Sequence, residues 1–223
     1  NVWIPGRNVR LGIVFYFLFT YCFSCFNNTN KIKKELKNMM SFNTADICDE
    51  NPNVQIAEPI FKSFGERVLF YGKIRTVSVK DDNSFVKKLV NQKVSGDVMV
   101  VDGKGSLKCA LLGDNLARIA CENGWAGFII NGCIRDSAII NKIDIGIKAI
   151  NTMPIKSEKK DIGDYAKDLG FAGVVFKEGE YVYSDGDGIV ISKKVISNKS
   201  MTQTINKDIP YKLITCMKKM FDE

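Results

Sequence analysis

Hydrophobic and polar positions divide this chain into a head, a body and a tail. Residues 11–26, LGIVFYFLFTYCFSCF, form an uncharged apolar run behind Arg7 and Arg10. Its sixteen residues fall short of the roughly 20 that span a bilayer, so the run resembles a signal-peptide core or a marginal anchor. Residues 27–38, rich in Asn and Lys, have the composition of unstructured sequence. From Ser41 the pattern turns domain-like. TADICD at 44–49 predicts a short helix with Thr44 as its cap, and Pro52 and Pro59 mark loops. RVLFYGKIRTVSV at 67–79 predicts a strand in which Gly72 makes a bulge or bend. A helix is expected near 84–92, then a strand at 97–101 that ends in a turn at Asp102-Gly103-Lys104-Gly105.

Gly113 opens a helix whose apolar face carries Leu116, Ile119 and Ala120 and which Gly124 terminates. Trp125 reads as core packing; a buried strand follows at 126–130, a short helix after Asp136, and a strand around 147–150. The C-terminal third is mostly β, with strands at 171–176, 181–184 and 189–192. Turns separate them at Lys177-Glu178-Gly179-Glu180 and Asp185-Gly186-Asp187-Gly188. A final helix is expected from about 209 to 221. The pattern holds no internal repeat. It predicts one α/β domain over 39–192, a head at 1–38 and a partly helical tail at 193–223.

Composition changes this picture in three ways. First, the chain has no histidine. That removes Ser-His-Asp and Cys-His nucleophiles and every histidine-ligated zinc site. Acid–base or metal chemistry must run on carboxylates, Lys, Tyr, Cys, backbone groups or water, and oxygen ligands favour Mg²⁺ or Mn²⁺. Second, the net charge of +7 sits at the ends: six basic residues against one acidic in 1–38, seven against three in 192–223, and 19 against 21 between them. A nucleic-acid-binding face on the body is therefore not expected. Third, the seven cysteines form no metal pattern beyond a lone Cys22-x-x-Cys25 inside the apolar run, which favours reduced thiols. Two readings of the head stand side by side. It is a leader that directs the chain to a membrane or organelle, or sequence translated upstream of a start at Met39 or Met40. The compositional break favours the second, with a cytoplasmic body.

The candidate chemistry lies in GDNLARIACENGWAGFIINGCIRD, residues 113–136. Gly113-Asp114-Asn115-Leu116 places free amides at a helix start, where a carboxylate or phosphate is stabilised; taken alone it is also an ordinary cap. Arg135 suits a bidentate grip on a keto-acid, or else pairs with Asp136 or Asp144. Asp136 is a candidate metal ligand or the cap of the following helix. The joint spacing, twenty residues between Asp114 and Arg135 with Asp136 adjacent, favours the functional readings. Elsewhere the signals are weaker. Asp102–Gly105 lacks the P-loop pattern, and its glycines are expected to allow close backbone approach near the pocket. Asp185 and Asp187 read as turn chemistry rather than an EF-hand. Nothing marks Lys104 or Lys108 for a Schiff base.

These residues carry a resemblance. Residues 41–192 resemble the regulator-of-ribonuclease-activity-A-like family, which includes 4-hydroxy-4-methyl-2-oxoglutarate aldolases. The matching runs are TADICDE, DVMVVDGKGSLKCALLGDNLARIACENGWAGFIINGCIRD, IDIGIKAI and GEYVYSDGDGIVIS. The resemblance implies a swivelling β/β/α domain and a homotrimer with sites between subunits. It implies that Gly113, Asp114, Asn115 and Leu116 bind a pyruvyl carboxylate and that Arg135 contacts the substrate oxygens. Asp136 would anchor a divalent cation, and Asp114 would help a water move a proton. The carboxylate that a neighbouring subunit supplies in the long aldolases has no assigned counterpart here. The implied reaction is metal-dependent cleavage of a 4-hydroxy-2-oxo acid into two pyruvates, with oxaloacetate decarboxylation as a side activity. Such cleavage needs a base for the hydroxyl and a Lewis acid at the 2-keto oxygen, and neither requires histidine. The alternative is a non-catalytic regulator that binds a ribonuclease or helicase through its outer surface. Family members of that kind typically lose the Asp after the Arg, and this chain retains it.

Overall fold

The computed structural model describes residues 42–196. The apolar run 11–26, the Met39-Met40 break and the helix expected at 209–221 lie outside the described residues. The body opens with α1 (Thr44–Glu50), β1 (Gln55–Ile56), β2 (Lys62–Phe64), β3 (Phe70–Ser78) and α2 (Ser84–Val90). Then come β4 (Val98–Leu112), α3 (Asp114–Glu122), β5 (Gly127–Ile134), α4 (Ser137–Ile140) and β6 (Gly146–Thr152). Short strands close it: β7 (Asp164–Tyr165), β8 (Leu169–Phe171), β9 (Val174–Phe176), β10 (Tyr181–Ser184) and β11 (Ile189–Ser192). This is a mixed α/β fold of the swivelling β/β/α type. No helix among the described residues is long and apolar enough to cross a membrane.

Strands β3, β4, β5 and β6 lie side by side and parallel. All eight residues of β5 are buried, as expected of a parallel strand covered on both faces. Alternation divides their side chains between two cores. Met99, Val101, Phe128 and Ile130 pack with the helices through Val86, Leu89, Ala117, Ala120 and Trp125. Val98, Val100 and Ile129 pack on the other face with Phe176, Val182 and Ile191. Strand β3 joins the two β layers because its pairing is split. Phe70–Lys73 pairs antiparallel with β10, while Ile74–Ser78 pairs parallel with β4. A third cluster gathers Phe42, Ile47, Tyr183 and Val190.

Several local expectations are corrected. Asn43, not Thr44, caps α1: its side chain accepts from the Ala45 amide at 3.0 Å. Thr44 instead donates through its amide and Oγ1 to the Asp185 carboxylate, both at 2.7 Å. The DGDG turn is thus a turn, as expected, but also an anchor for the first helix. The strand expected to stop at residue 101 runs on to Leu112. Its turn-like residues shift the register against β5 instead of ending the pairing. Lys104 and Gly105 take positive φ (59° and 66°), and the Asp102 carboxylate accepts from the Lys104 amide at 2.9 Å. A Cβ on Gly103 would lie 2.7 Å from the Asn131 carbonyl oxygen, so the close approach there is to β5 and not at a pocket. Gly72 makes no bulge, since pairing with β10 continues through it; a Cβ there would stand 2.0 Å from the Gly96 oxygen. The single strand expected at 171–176 is a hairpin, β8–β9, turning at Ala172 and Gly173, both with positive φ.

Candidate active site

Strand β4 ends at Leu112 and α3 begins at Asp114, with Gly113 between them as N-cap in extended conformation. A glycine cap has no side chain to bond the first turn, which leaves the amides of Asp114, Asn115 and Leu116 without intrahelical partners. The Arg135 amide donates to the Leu112 oxygen at 2.9 Å, which sets the end of β5 beside the end of β4. Asp114 and Arg135, with twenty residues between them in sequence, thereby come to one place. Arg135 Nε lies 3.2 Å from Asp136 Oδ2. Asp136 is left-handed (φ 58°, ψ 33°), a conformation that Asp tolerates better than most residues. A Cβ on Gly113 would stand 3.0 Å from Asp136 Oδ2 and 3.2 Å from Arg135 Nε, so glycine is what lets the pair approach the helix start.

A cavity of about 380 Å³ opens at this point. Gly113, Asp114, Asn115, Leu116 and Ile119 at the start of α3 and Arg135 after β5 line it. Asn83 and Lys87 from the start of α2, Ala110 of β4, and Lys156, Ser157 and Lys159 from the segment after β6 line it as well. Asp114 is the one carboxylate among these lining residues; its side chain is 19% exposed and 3.4 Å from Arg118 Nη2. With one arginine and three lysines in the lining, the cavity favours anions.

The structure therefore brings five of the six sequence-derived site residues onto the cavity wall, and the sixth, Asp136, adjoins it through Arg135 and Gly113. The bland readings are partly true as well. Arg135 does pair with Asp136, whereas Asp144 pairs with Arg67. Asp136 does occupy the cap position of α4 but makes no side-chain cap bond. Lys104 is engaged by Asp102. Cys109 is no nucleophile: burial, then the Asp81 carboxylate, pushes its thiol up to about 11. Sequence reasoning missed Asn83, Lys87, Lys156, Ser157 and Lys159. Their signal is three-dimensional, because the segment that follows β6 reaches the cavity through an Ala110 amide to Ile155 oxygen bond of 2.8 Å.

A divalent cation fits this donor set in one way. No cluster of three His, Cys, Asp or Glu residues exists among the described residues, so a protein cage is absent there. Among the described residues Asp136 has Arg135 as its one side-chain partner, leaving carboxylate lone pairs open there. A single carboxylate completed by water and substrate oxygens is a coordination that Mg²⁺ accepts.

Comparison with known proteins identifies the family of the chain. Residues 44–191 match the RraA-like family model, described as Aldolase/RraA. A Hahella chejuensis protein named "Putative 4-hydroxy-4-methyl-2-oxoglutarate aldolase" is 48% identical over 159 residues, covering 71% of this chain and 97% of its own. A Dechloromonas aromatica protein of the same name is 45% identical over 163 residues, 71% of this chain and all of its own. Among solved structures, the RNA-processing inhibitor RraA of Thermus thermophilis is similar with a TM-score of 0.69 and 38% identity, covering 72% of this chain and 98% of that one. A Geobacillus kaustophilus protein titled S-adenosylmethionine: 2-dimethylmenaquinone methyltransferase gives 0.69 and 48%, covering 70% and 99%. The chain belongs to the Aldolase/RraA family.

Proposed function

We propose that the protein is a divalent-metal-dependent aldolase that cleaves 4-hydroxy-4-methyl-2-oxoglutarate into two pyruvates and decarboxylates oxaloacetate as a side reaction. The observation that carries this reading is the meeting of Arg135, Asp136 and the free α3 amides at an anion-favouring cavity. The amides of Asp114, Asn115 and Leu116 hold the 2-oxo carboxylate, where the helix dipole adds to the hydrogen bonds. The Arg135 guanidinium donates to the keto oxygen and keeps it charged toward cleavage. Asp136 is the side chain that would hold Mg²⁺ or Mn²⁺, which when bound supplies positive charge at the keto oxygen. Asp114 orients a water that takes the proton of the 4-hydroxyl and returns one to the product. The reading includes a homotrimer with sites between subunits; exposed Leu107, Ile155 and Ile162 provide apolar surface for such assembly.

Two other readings follow from the relatives' names. A methyltransferase cofactor with a sulfonium cation is opposed by a cavity lined with four cationic side chains. An inhibitor of a ribonuclease or helicase would use the outer surface and leave the cavity idle. The test is pyruvate release from 4-hydroxy-4-methyl-2-oxoglutarate and from oxaloacetate, with and without EDTA. The expected result is EDTA-sensitive turnover that Asp136→Ala abolishes. Undiminished turnover in Asp136→Ala would remove the metal assignment, and no turnover in the wild type would favour the inhibitor.

A further inference from the structure

The cavity side formed by α2 and the segment after β6 has no part in the chemistry above. Lys87 lies on α2, and Lys156, Ser157 and Lys159 lie between β6 and β7. None of these three lysines has an acidic partner among the described residues, although their neighbours do: Lys88 pairs with Asp161 and Lys160 with Glu158.

Asp82 fixes this wall. It is 1% exposed and accepts from the Ser84 amide at 2.6 Å, the Lys160 amide at 2.8 Å and the Ile162 amide at 3.1 Å. The start of α2 and the 156–162 segment are thereby tied to one carboxylate. Burial pushes that carboxyl up, but the bonds from Ser84, Ile162 and Lys160 outweigh it and hold it at about 2.

We propose that Lys87, Lys156 and Lys159 form a subsite for the second carboxylate of a dicarboxylic 2-oxo acid, with Asp82 as its positioning residue. The proposal rests on the reading of the Gly113–Arg135 side as the 2-oxo acid end. The lysine ammonium groups pair with the far carboxylate and supply the charge that draws it in. Asp82 touches no substrate and acts by holding the segment in register with α2. Inorganic phosphate presents the same chemistry to this wall and forms a separate arm of the test.

The experiment is calorimetric titration of the full chain, with Mg²⁺, using pyruvate, 2-oxoglutarate and phosphate. 2-Oxoglutarate lacks the 4-hydroxyl and is not cleaved. The wild type is expected to bind it about tenfold more tightly than pyruvate, the equivalent of about 1.4 kcal/mol. The double variant Lys156→Met, Lys159→Met is expected to bring that ratio toward one. Asp82→Asn should do the same, and Asp82→Glu should restore part of it. Should Asp82→Asn fail to fold, the surface lysine variants still decide the matter. Phosphate competing with 2-oxoglutarate more strongly than with pyruvate supports the subsite. Equal binding of the two acids by the wild type, or an unaltered ratio in the variants, overturns it. Phosphate binding with no advantage for 2-oxoglutarate also overturns it, leaving a free-anion site. Failure of the underlying reading has a separate signature: Arg135→Lys would leave pyruvate affinity untouched.

Discussion

Arg135 and Gly113 show how much can depend on one side chain or its absence. Arg135→Lys keeps the charge but loses the planar fork. Losing a charge-assisted hydrogen bond of about 1.5–3 kcal/mol predicts a fall in kcat/KM of roughly ten- to a hundredfold, measured as pyruvate release. A protein that acts only through its outer surface would be indifferent to this change. Gly113 has an ordinary extended backbone, so a methyl group there is not conformationally strained. It would nevertheless stand 3.0 Å from Asp136 Oδ2 and 3.2 Å from Arg135 Nε. Gly113→Ala is therefore predicted to lower kcat/KM at least about tenfold while leaving the melting temperature nearly unchanged. An inverse result, a large thermal loss with full activity, would mean that Gly113 serves packing alone. These residues were legible in the sequence because the D-x20-R-D spacing joins two element ends that adjacent parallel strands must bring together. The lysines and Ser157 opposite were not legible, since an irregular segment has no periodicity to say what it lies against.

Among elements, α1 separates two roles that the sequence merged. Asn43 is an exposed cap, and Asn43→Ala should cost about 1 kcal/mol in chemical denaturation. Thr44 serves the Asp185 carboxylate instead, which also accepts from the Asp187 and Gly188 amides at 2.9 and 3.1 Å. Burial pushes the Asp185 carboxyl up, while the bonds from Thr44, Asp187 and Gly188 outweigh it and hold it below the usual carboxylate range. A carboxyl depressed on folding contributes stability that is present above its unfolded value, about 3.9, and lost as pH falls through its folded value. The wild type should therefore lose stability below about pH 4, and Asp185→Asn should be less stable at neutral pH but flatter across that acid range. Melting curves at stepped pH decide this, and parallel curves for the two proteins would remove Asp185 from the account. Element existence was largely readable from apolar runs, as at 126–130. Element ends were not: β4 runs through Asp102-Gly103-Lys104-Gly105 because turn-forming residues also build bulges, and the choice depends on β5 beside them.

For the described body as a whole, the three cores consist of residues within 42–196. A fragment of these residues is predicted to fold cooperatively, checked by a single sharp thermal transition and protected core amides. Exchange of all amides within seconds would show that the body needs more of the chain. The body also begins and ends on one aromatic patch. The Phe42 ring lies 5.4 Å from Tyr183 and 5.9 Å from Tyr71, and the Tyr183 hydroxyl accepts from the Ile196 amide at 2.8 Å. Neighbouring ends make the order of the elements negotiable. A circularly permuted body, joined from 196 to 42 by a short Gly/Ser linker and opened at the exposed residues 166–168 between β7 and β8, should reach the same fold. The two β layers would then be made in a new order, and the cavity would be assembled from a chain that starts elsewhere.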